Sequence, residues 1–462
     1  MPQFLHLHRL TRNKRSLLAR SCQLALVFAA AELPWFAQGQ TSAAEPAQTV
    51  AAPTRQVEQS AAPASVGQSA NSTELPGAIY KDAMQPLDVV RSSLDNWSDA
   101  ELGALNVGMS KARAACMQTR PESYTGDDLF DLARLCSFGQ DWNDANTAAQ
   151  AYMSSGHEAH RAQAYTLSMS ALLHLNAVDL ATATAREMLR KLPYDAEVSY
   201  ALRSMKDYLE QTGNPAALTL ATLEHAAIVQ ALGQGVPLKA AHRDIGIGAG
   251  TLYESAMELA FFERYAGDDT AAASAFADVQ GALQQAGAIP AEERQRTDAI
   301  ELQYRLLGSR LPKIEVQKSL MSAKARPLIN PDFGAATVLV LFPEWCTQCR
   351  RMMKTLTQFA AVNGDVPIHT YGLMFSDESD ATDPVVREAE LKELQGTATL
   401  VVPATTAQAF GAIDFPLGIV VDHAGLVRFI GAIPGDAFNG DGYISKVVTR
   451  MAGKRQEFPA TK

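Results

Sequence analysis

The chain has 462 residues, and 47% of them are hydrophobic, which is enough for two or three domains with buried cores. The formal net charge is −10 at pH 7, and the acidic residues are spread along the chain rather than gathered in blocks. Beyond the N-terminal region the sequence contains no basic patch. The charge pattern therefore argues against a nucleic-acid partner.

The N-terminal segment has the pattern of a secretion signal. A positively charged stretch is followed by a short apolar run at 24–31, which is too short to span a bilayer. We predict a signal peptide over residues 1–38, and hence export to the periplasm or another extracytoplasmic space. Two cleavage positions are open, at 29–31 and after Phe36, and an uncleaved anchor is the alternative.

Residues 39–78 have the composition of a flexible tether. They are rich in alanine, serine, glutamine and proline and contain almost no large apolar residues. A segment of this kind has too little apolar surface to build a core. We predict a disordered linker here, with regular structure beginning near Ile79.

The region 79–311 has helical periodicity and no convincing strand. Apolar residues, many of them alanine, recur at three- and four-residue steps, and small residues at such steps let helices approach closely. Helices are predicted at 127–138, 143–155, 160–175, 178–192, 195–211 and 214–232, twice within 251–285, and at 291–308.

Two of these helices begin with similar sequences, at Trp142 and at Val178. Small, large and proline residues then follow in the order found in the second helix of a tetratricopeptide repeat: Ala181, Ala185, Met188 and Pro193. The region 125–285 resembles a degenerate array of such repeats, with a spacing close to the usual ~34 residues. The resemblance implies stacked helix pairs with a protein ligand on their concave face. An alanine-rich helical domain without repeats is the alternative.

Residues 312–334 are predicted to form a connector, after which the pattern changes. Strands are predicted at 336–342, 369–375, 399–402, 417–422 and 426–430, and helices at 346–363, 383–395, 406–413 and 442–452. Strand–helix–strand order followed by a hairpin and a helix indicates a mixed central sheet with helices on both faces. The predicted fold is multidomain: an all-α repeat domain over 79–311 and an α/β domain over 335–456.

The motif Trp345-Cys346-Thr347-Gln348-Cys349 stands where a predicted strand passes into a helix. A cysteine at a helix N-terminus has free backbone N–H groups and the helix dipole to stabilise its thiolate. A second cysteine one turn later can close a disulfide ring and release a mixed disulfide. The motif therefore predicts a dithiol–disulfide redox site.

The segment from about 335 to 455 resembles a thioredoxin-fold domain of the exported, TlpA-like group. The resemblance is carried by the strand before the motif, by Trp345, Cys346, Cys349 and Arg350, by the run 409–416 that ends in Phe415-Pro416, and by the hairpin sequence 418–425. It implies that Cys346 is the nucleophile and Cys349 the resolving thiol. It also implies that Trp345, Phe415 and Pro416 contact the substrate, with a cis peptide bond before Pro416, and that Arg350 favours ionisation of Cys346.

The sequence departs from that family at three places. Val340 replaces the buried acid that thioredoxins carry before the first cysteine, and the pair Thr347-Gln348 lacks the usual proline. Glu344 is nearby, but as a loop carboxylate it is expected to be solvated. The acidic stretch 376–384 stands where the family often has an inserted element, and its role is open.

Cys116 and Cys136 remain once Cys22, before the apolar run, and the redox pair are set aside. In an oxidising compartment an even set tends to pair, which predicts a structural disulfide. On adjacent antiparallel helices the two residues would lie too far apart to bond, and two buried thiols are the alternative. No second Cys or His pair completes a zinc site with Cys346 and Cys349, so we predict no metal and no cofactor.

The predicted function is that of an exported thiol–disulfide oxidoreductase acting on protein disulfides through Cys346 and Cys349. Its predicted partners are protein disulfide substrates, a membrane or soluble thiol-redox protein, and a protein ligand on the helical repeats. A second hypothesis is a helical-repeat binding protein whose thioredoxin-like domain is mainly structural. A weaker third is a thiol peroxidase, which would need peroxide turnover at Cys346.

Overall fold

The computed structural model describes residues 74–93, 99–239, 246–320, 335–362, 368–376, 391–392, 394, 396–433 and 443–453. The predicted signal peptide and nearly all of the linker lie outside these residues, as do most of the predicted helix 383–395 and the stretch 377–384. The chain divides into two compact units, Met1–Leu167 and Ser168–Lys462, with the boundary inside the helix Arg161–His174.

The first unit is helical. Its described helices are α1 (Pro76–Ser93), α2 (Asp99–Cys116), α3 (Asp127–Phe138), α4 (Trp142–Ser154) and the beginning of α5 (Arg161–His174). A buried apolar face joins α3 and α4, where the Phe130 and Tyr152 rings lie 5.6 Å apart. The Asp141 side chain accepts a hydrogen bond from the Asp144 N–H and so caps the start of α4.

Cys116 and Cys136 are joined by a disulfide, with Cα atoms 5.1 Å apart. Cys116 is the last residue of α2 and Cys136 lies in the last turn of α3, so the C-terminal ends of the two helices meet. A Cβ on Gly139 would lie 2.5 Å from the Arg113 nitrogen, which shows how closely the chain after α3 passes α2. Cys116 and Cys136 would be too far apart on adjacent antiparallel helices with Cys116 near the turn between them. The structure brings the C-terminal ends of α2 and α3 together instead, so the two cysteines can bond.

The helices of the second unit follow the predicted periodicity. They are the end of α5, α6 (Val178–Lys191), α7 (Ala196–Gln211), α8 (Ala216–Gly233), α9 (Ala249–Ala266), α10 (Asp269–Ala286) and α11 (Arg294–Leu306). Every helix predicted between 127 and 308 is confirmed to within a few residues. Their assignment to tetratricopeptide repeats stays a prediction.

Among the described residues, one helix, α8, is long and apolar enough to cross a membrane. It packs against α7 and α9, and it carries the buried polar residues Glu224 and His225. Glu224 receives a 2.6 Å hydrogen bond from Lys206, and the His225 ring contacts the Ser255 hydroxyl at 2.9 Å. Each of these two side chains therefore has one polar partner on a neighbouring helix.

The mixed sheet has six strands in the order β1-β4-β3-β2-β5-β6. The strands are β1 (Lys318–Ser319), β2 (Ala336–Pro343), β3 (Ile368–Phe375), β4 (Thr399–Val401), β5 (Leu417–Val421) and β6 (Val427–Ala432). β2 pairs in parallel with β3 and antiparallel with β5. The helices among the described residues of this region are α12 (Thr347–Val362), α13 (Thr405–Ala409) and α14 (Tyr443–Gly453). The predicted mixed sheet is confirmed, and β1 adds an edge strand within the predicted connector.

The helical part of the second unit packs directly on this sheet. After α11 the chain runs along β6, where the Gly308 N–H donates to the Val427 carbonyl at 2.7 Å and the Val427 N–H donates to Ser309 at 2.8 Å. The Phe261 and Phe429 rings meet edge to face at 5.1 Å. The chain after α11 thereby pairs with the start of the β6 edge and covers that part of it.

Candidate redox site

Strand β2 brings the cysteine motif to one edge of the sheet. All eight of its residues are buried between β3 and β5. The strand ends at Pro343 and α12 begins at Thr347, so Trp345 and Cys346 occupy the turn between them. The Cys346 N–H donates to the Pro343 carbonyl at 3.0 Å, which tightens this turn.

Cys346 and Cys349 form a disulfide across the first turn of α12, with Cα atoms 5.3 Å apart. The Cys349 N–H points at the Cys346 sulfur, 3.2 Å away. In the reduced chain the same N–H and the start of the helix would stabilise a thiolate on Cys346. Cys346 is 8% exposed and Cys349 is fully buried. An incoming group therefore has access to Cys346 first.

Arg350 is tied into the turn rather than extended into solvent. It is 3% exposed, and its guanidinium donates to the Glu344 carbonyl at 2.6 Å and to the Thr347 hydroxyl at 3.0 Å. These acceptors lie on both sides of Cys346 in the chain. A fixed positive charge is thus held on the turn that carries Cys346, and a nearby positive charge favours an ionised thiol.

Glu344 is buried, so the prediction of a solvated carboxylate is wrong. It is 7% exposed, and its carboxylate accepts a 2.5 Å hydrogen bond from the Ser376 hydroxyl. Its N–H donates to the Phe375 carbonyl at 2.8 Å, which continues the pairing of β2 with β3. The prediction failed because the partner comes from the end of another strand.

Phe415 and Pro416 lie at the same edge of the sheet as the cysteines. Leu417 pairs with Leu341, so the residues just before β5 stand beside the end of β2. The Phe415–Pro416 peptide bond is cis, as the resemblance implies. Pro416 is buried and accepts a hydrogen bond from the Ile433 N–H at 3.1 Å, while the Phe415 ring contacts the Phe375 ring at 5.4 Å.

Helix α11 supports the loop that leads to Phe415. The buried Gln303 side chain donates a 2.7 Å hydrogen bond to the Gly411 carbonyl. Gly411 has φ +60°, and a Cβ there would lie 2.5 Å from the Ala299 carbonyl oxygen. Only glycine fits this contact without a shift. The helical part of the second unit therefore contacts the loop that carries the predicted substrate-binding residues.

The structure thus places the predicted site residues in two groups. Trp345, which is 57% exposed, lies on the turn with Cys346 and Cys349, and strand register brings Phe415 and Pro416 to the same edge. Cys116 and Cys136 belong to the first unit. The roles of Ser376 and Gln303 could not be predicted from the sequence, because each acts through a partner far away in the chain.

About 30% of the chain, a C-terminal segment, is similar to solved structures of thioredoxin-like thiol:disulfide oxidoreductases. One is the thioredoxin domain of a thiol-disulfide oxidoreductase from Bacteroides vulgatus, at 17% identity, covering 30% of this chain and 99% of that chain with a TM-score of 0.22. Another is a thiol:disulfide interchange protein of the thioredoxin family from Chlorobium tepidum, at 18% identity, covering 31% and 99% with a TM-score of 0.23. No protein-family model and no curated protein matches the chain.

Proposed function

We propose that this protein is an exported thiol–disulfide oxidoreductase that acts on disulfides of other proteins. The observation that carries the proposal is the pairing of Cys346, which is 8% exposed, with the fully buried Cys349 at a helix start, where the Cys349 N–H points at the Cys346 sulfur. Such an arrangement favours a thiolate on the outer cysteine and holds the inner one ready to displace a partner.

In the reducing direction the Cys346 thiolate attacks one sulfur of a substrate disulfide. A Cys346–substrate disulfide forms, and the other substrate sulfur leaves as a thiolate that takes up a proton. Cys349 then loses its proton and attacks the Cys346 sulfur, so the second substrate thiolate leaves and the Cys346–Cys349 disulfide forms. The second substrate thiolate also takes up a proton, so the substrate gains two electrons from the cysteine pair and two protons, one released by Cys349 and one from water. The oxidising direction is the reverse, and no cofactor is required.

Each direction needs a membrane or soluble thiol-redox partner that restores the starting state of the cysteine pair. Trp345 on the turn and Phe415 and Pro416 before β5 are proposed to contact the substrate. Export is proposed from the N-terminal pattern alone. Sequencing the N-terminus of the chain recovered from an extracytoplasmic fraction would test it, since an intact Met1 there would contradict a cleaved signal.

The test of the activity is mechanism-based trapping. In a Cys349→Ser variant the mixed disulfide cannot be resolved, so adducts through Cys346 should accumulate and disappear on reduction. The matched control is Cys346→Ser, which should trap nothing. A Cys349→Ser chain that forms no adduct, together with a wild-type chain that reduces no model disulfide, would overturn the proposal.

A second candidate function is partner binding by the helices, with a mainly structural α/β part. It is favoured by Val340, a buried apolar residue at the place where thioredoxins carry an acid. Because residues 308–311 pair with 425–427 at the start of β6, deleting the helical region would damage the sheet. The full chain with Cys346→Ser is the better test. Capture of the same partners by wild type and variant would favour this second function.

A further inference from the structure

A cavity of about 550 Å³ lies between the helices of the second unit and the sheet. Its walls come from α7, α8, α9 and α11 on one side and from β6 and α14 on the other. It also reaches Ile413, Asp414 and Leu417, which flank the Phe415–Pro416 pair. Its size is typical of a binding site for a small group.

The wall on the sheet side is apolar. Phe429, Ile430 and Ile433 line it from the sheet, and Phe261 and Ile300 face them from the helices. Asp207, which also lines the cavity, is exposed, so the space is in contact with solvent. An apolar stem that enters there would find a hydrocarbon surface along its length.

The opposite wall carries charge, and its carboxylates outnumber its cations. Lys206, only 5% exposed at its side chain, pairs with Glu224 at 2.6 Å and with Glu258. Arg203 pairs with Glu224 at 3.5 Å and with Glu254 at 3.2 Å. Arg296 pairs with Glu254 and lies 3.8 Å from Asp414.

None of these ion pairs includes Asp207 or Glu210, so three cations face six carboxylates. Desolvation in the cavity raises the pKa of Asp207 to about 6, although that side chain keeps contact with solvent. Burial, together with the neighbouring Glu258, raises the pKa of Glu210 well above its ordinary value. Both carboxyl groups therefore hold their protons more readily than a free carboxyl group does, and a cation placed beside them would favour their ionised forms.

Two buried oxygens on this wall also lack hydrogen bonds. Glu224 is 1% exposed, and its Oε1 accepts no hydrogen bond although the Arg203 Nε lies 3.5 Å away. The Glu210 Oε1 is likewise buried and accepts none, although the Glu210 side chain is hydrogen-bonded to Glu258. Buried polar atoms are normally satisfied, and an exception at a cavity wall points to a donor supplied by a ligand.

We propose that this cavity binds the side chain of a lysine or arginine close to the reacting disulfide of the substrate polypeptide. The methylene stem would lie along the Phe429–Ile433 wall and the charged head would donate to Glu224, Glu258 and Asp207. The position next to Ile413 and Leu417 fits a chain that crosses Phe415 and Pro416. The inference rests on the proposed function and names its substrate class.

The experiment compares two disulfide-closed peptides that differ at one residue beside a cysteine, lysine in one and uncharged norleucine in the other. The reduced full chain should reduce the lysine peptide about five to ten times faster at low salt. Added salt should bring the rates for the two peptides closer together, because it screens the attraction between the lysine and the carboxylates of the cavity. Equal rates for the two peptides would overturn the inference while leaving the proposed activity intact.

Variants of the cavity test whether it is the source of the preference for the lysine peptide, measured as the ratio of its reduction rate to that of the norleucine peptide. Asp207→Asn and Glu258→Gln should each bring the ratio close to one, whereas Asp298→Asn, an exposed position on α11 outside the cavity, should keep it. A ratio that survives both cavity variants would contradict the assignment. Failure to reduce either peptide would instead count against the proposed function.

A binding measurement distinguishes a lysine side chain in a peptide from a free amine, and it does not depend on turnover. The oxidised chain is titrated with the lysine peptide in open form, with its cysteines replaced by serine, and with hexylamine and hexanol. Peptide binding that weakens in Asp207→Asn supports the inference. Hexylamine binding without peptide binding would assign the cavity to a free amine and overturn the peptide claim, as would no binding at all.

Discussion

The Gln303 side chain donates a 2.7 Å hydrogen bond to the carbonyl oxygen of Gly411, and both residues are buried. The two residues are 108 positions apart in the sequence, one on helix α11 and the other in the loop before Phe415. Since that loop carries the proposed substrate-binding residues, the bond couples the helical region to the redox site. The helical region therefore helps to position the loop before Phe415 and does not act as an independent domain.

Replacing Gln303 with leucine should test this coupling. The leucine fills similar space but leaves the Gly411 carbonyl without this donor, so we expect a loss of about 1–2 kcal/mol in the free energy of unfolding. Reduction of a protein disulfide should slow more than reduction of a small aromatic disulfide, because the loop contacts only the larger substrate. Gln295→Leu, exposed on the same helix, is the matched control. Equal slowing with both substrates would indicate a general loss of structure.

Arg350 should control the ionisation of reduced Cys346. Its guanidinium is held by the Glu344 carbonyl and the Thr347 hydroxyl, and its charge favours the thiolate. Reduced Cys346 in Arg350→Met should therefore form its thiolate only at higher pH than in the wild type. Thiolate absorbance followed against pH measures this. Arg351→Met removes an exposed charge from the next position and should shift the titration less. Identical curves for Arg350→Met and wild type would contradict the role.

The Cys116–Cys136 disulfide closes a loop with a sequence separation of 20 residues. Removing it should therefore destabilise the first unit by about 3 kcal/mol, chiefly by freeing the unfolded chain. The double variant Cys116→Ala/Cys136→Ala, unfolded in urea and followed by fluorescence, gives this value. Cys346→Ala/Cys349→Ala is the control and should leave the unfolding of the first unit unchanged. An unaltered midpoint in the first double variant would mean that the bond adds no stability.

The helices and the turn that carries the cysteine motif could be predicted because their determinants are local. Periodicity fixed the bounds of helices such as Asp127–Phe138, and the order of strand, Cys346, Cys349 and helix placed the site at a sheet edge. The fold of the α/β part followed from the alternation of strands and helices. These features depend on neighbours in the chain.

The remainder depends on contacts between distant segments. Helix α13 stops at Ala409, earlier than the predicted 413, because Gly411 takes a positive φ to pass Ala299. Glu344 is buried because Ser376 follows the paired strand, and no local pattern marks that partner. The two-residue strand β1 is too short to show the alternation of apolar and polar residues by which a strand is predicted. The surplus of carboxylates in the cavity appears only when α7, α8 and α9 are packed together.

Glu210 should make the second unit less stable as the pH rises. Its pKa is raised by burial and by Glu258, and Lys206 and Asp207 also face it. A carboxyl group whose pKa is higher in the folded state binds more protons folded than unfolded. The contribution of Glu210 to the free energy of unfolding is therefore complete at low pH, and it is lost as the pH rises through the pKa of the folded state.

Glu210→Gln stays uncharged at every pH and should flatten this dependence. One proton changes the free energy of unfolding by at most about 1.4 kcal/mol per pH unit, so the wild-type curve should fall no faster than this on account of Glu210. Urea unfolding between about pH 5 and pH 9 supplies the curves, in a range where an unperturbed carboxyl group is ionised throughout. Glu197→Gln, exposed on the same helix, is the control and should keep the wild-type slope. Parallel curves for Glu210→Gln and wild type would show that Glu210 loses its proton at its ordinary pKa.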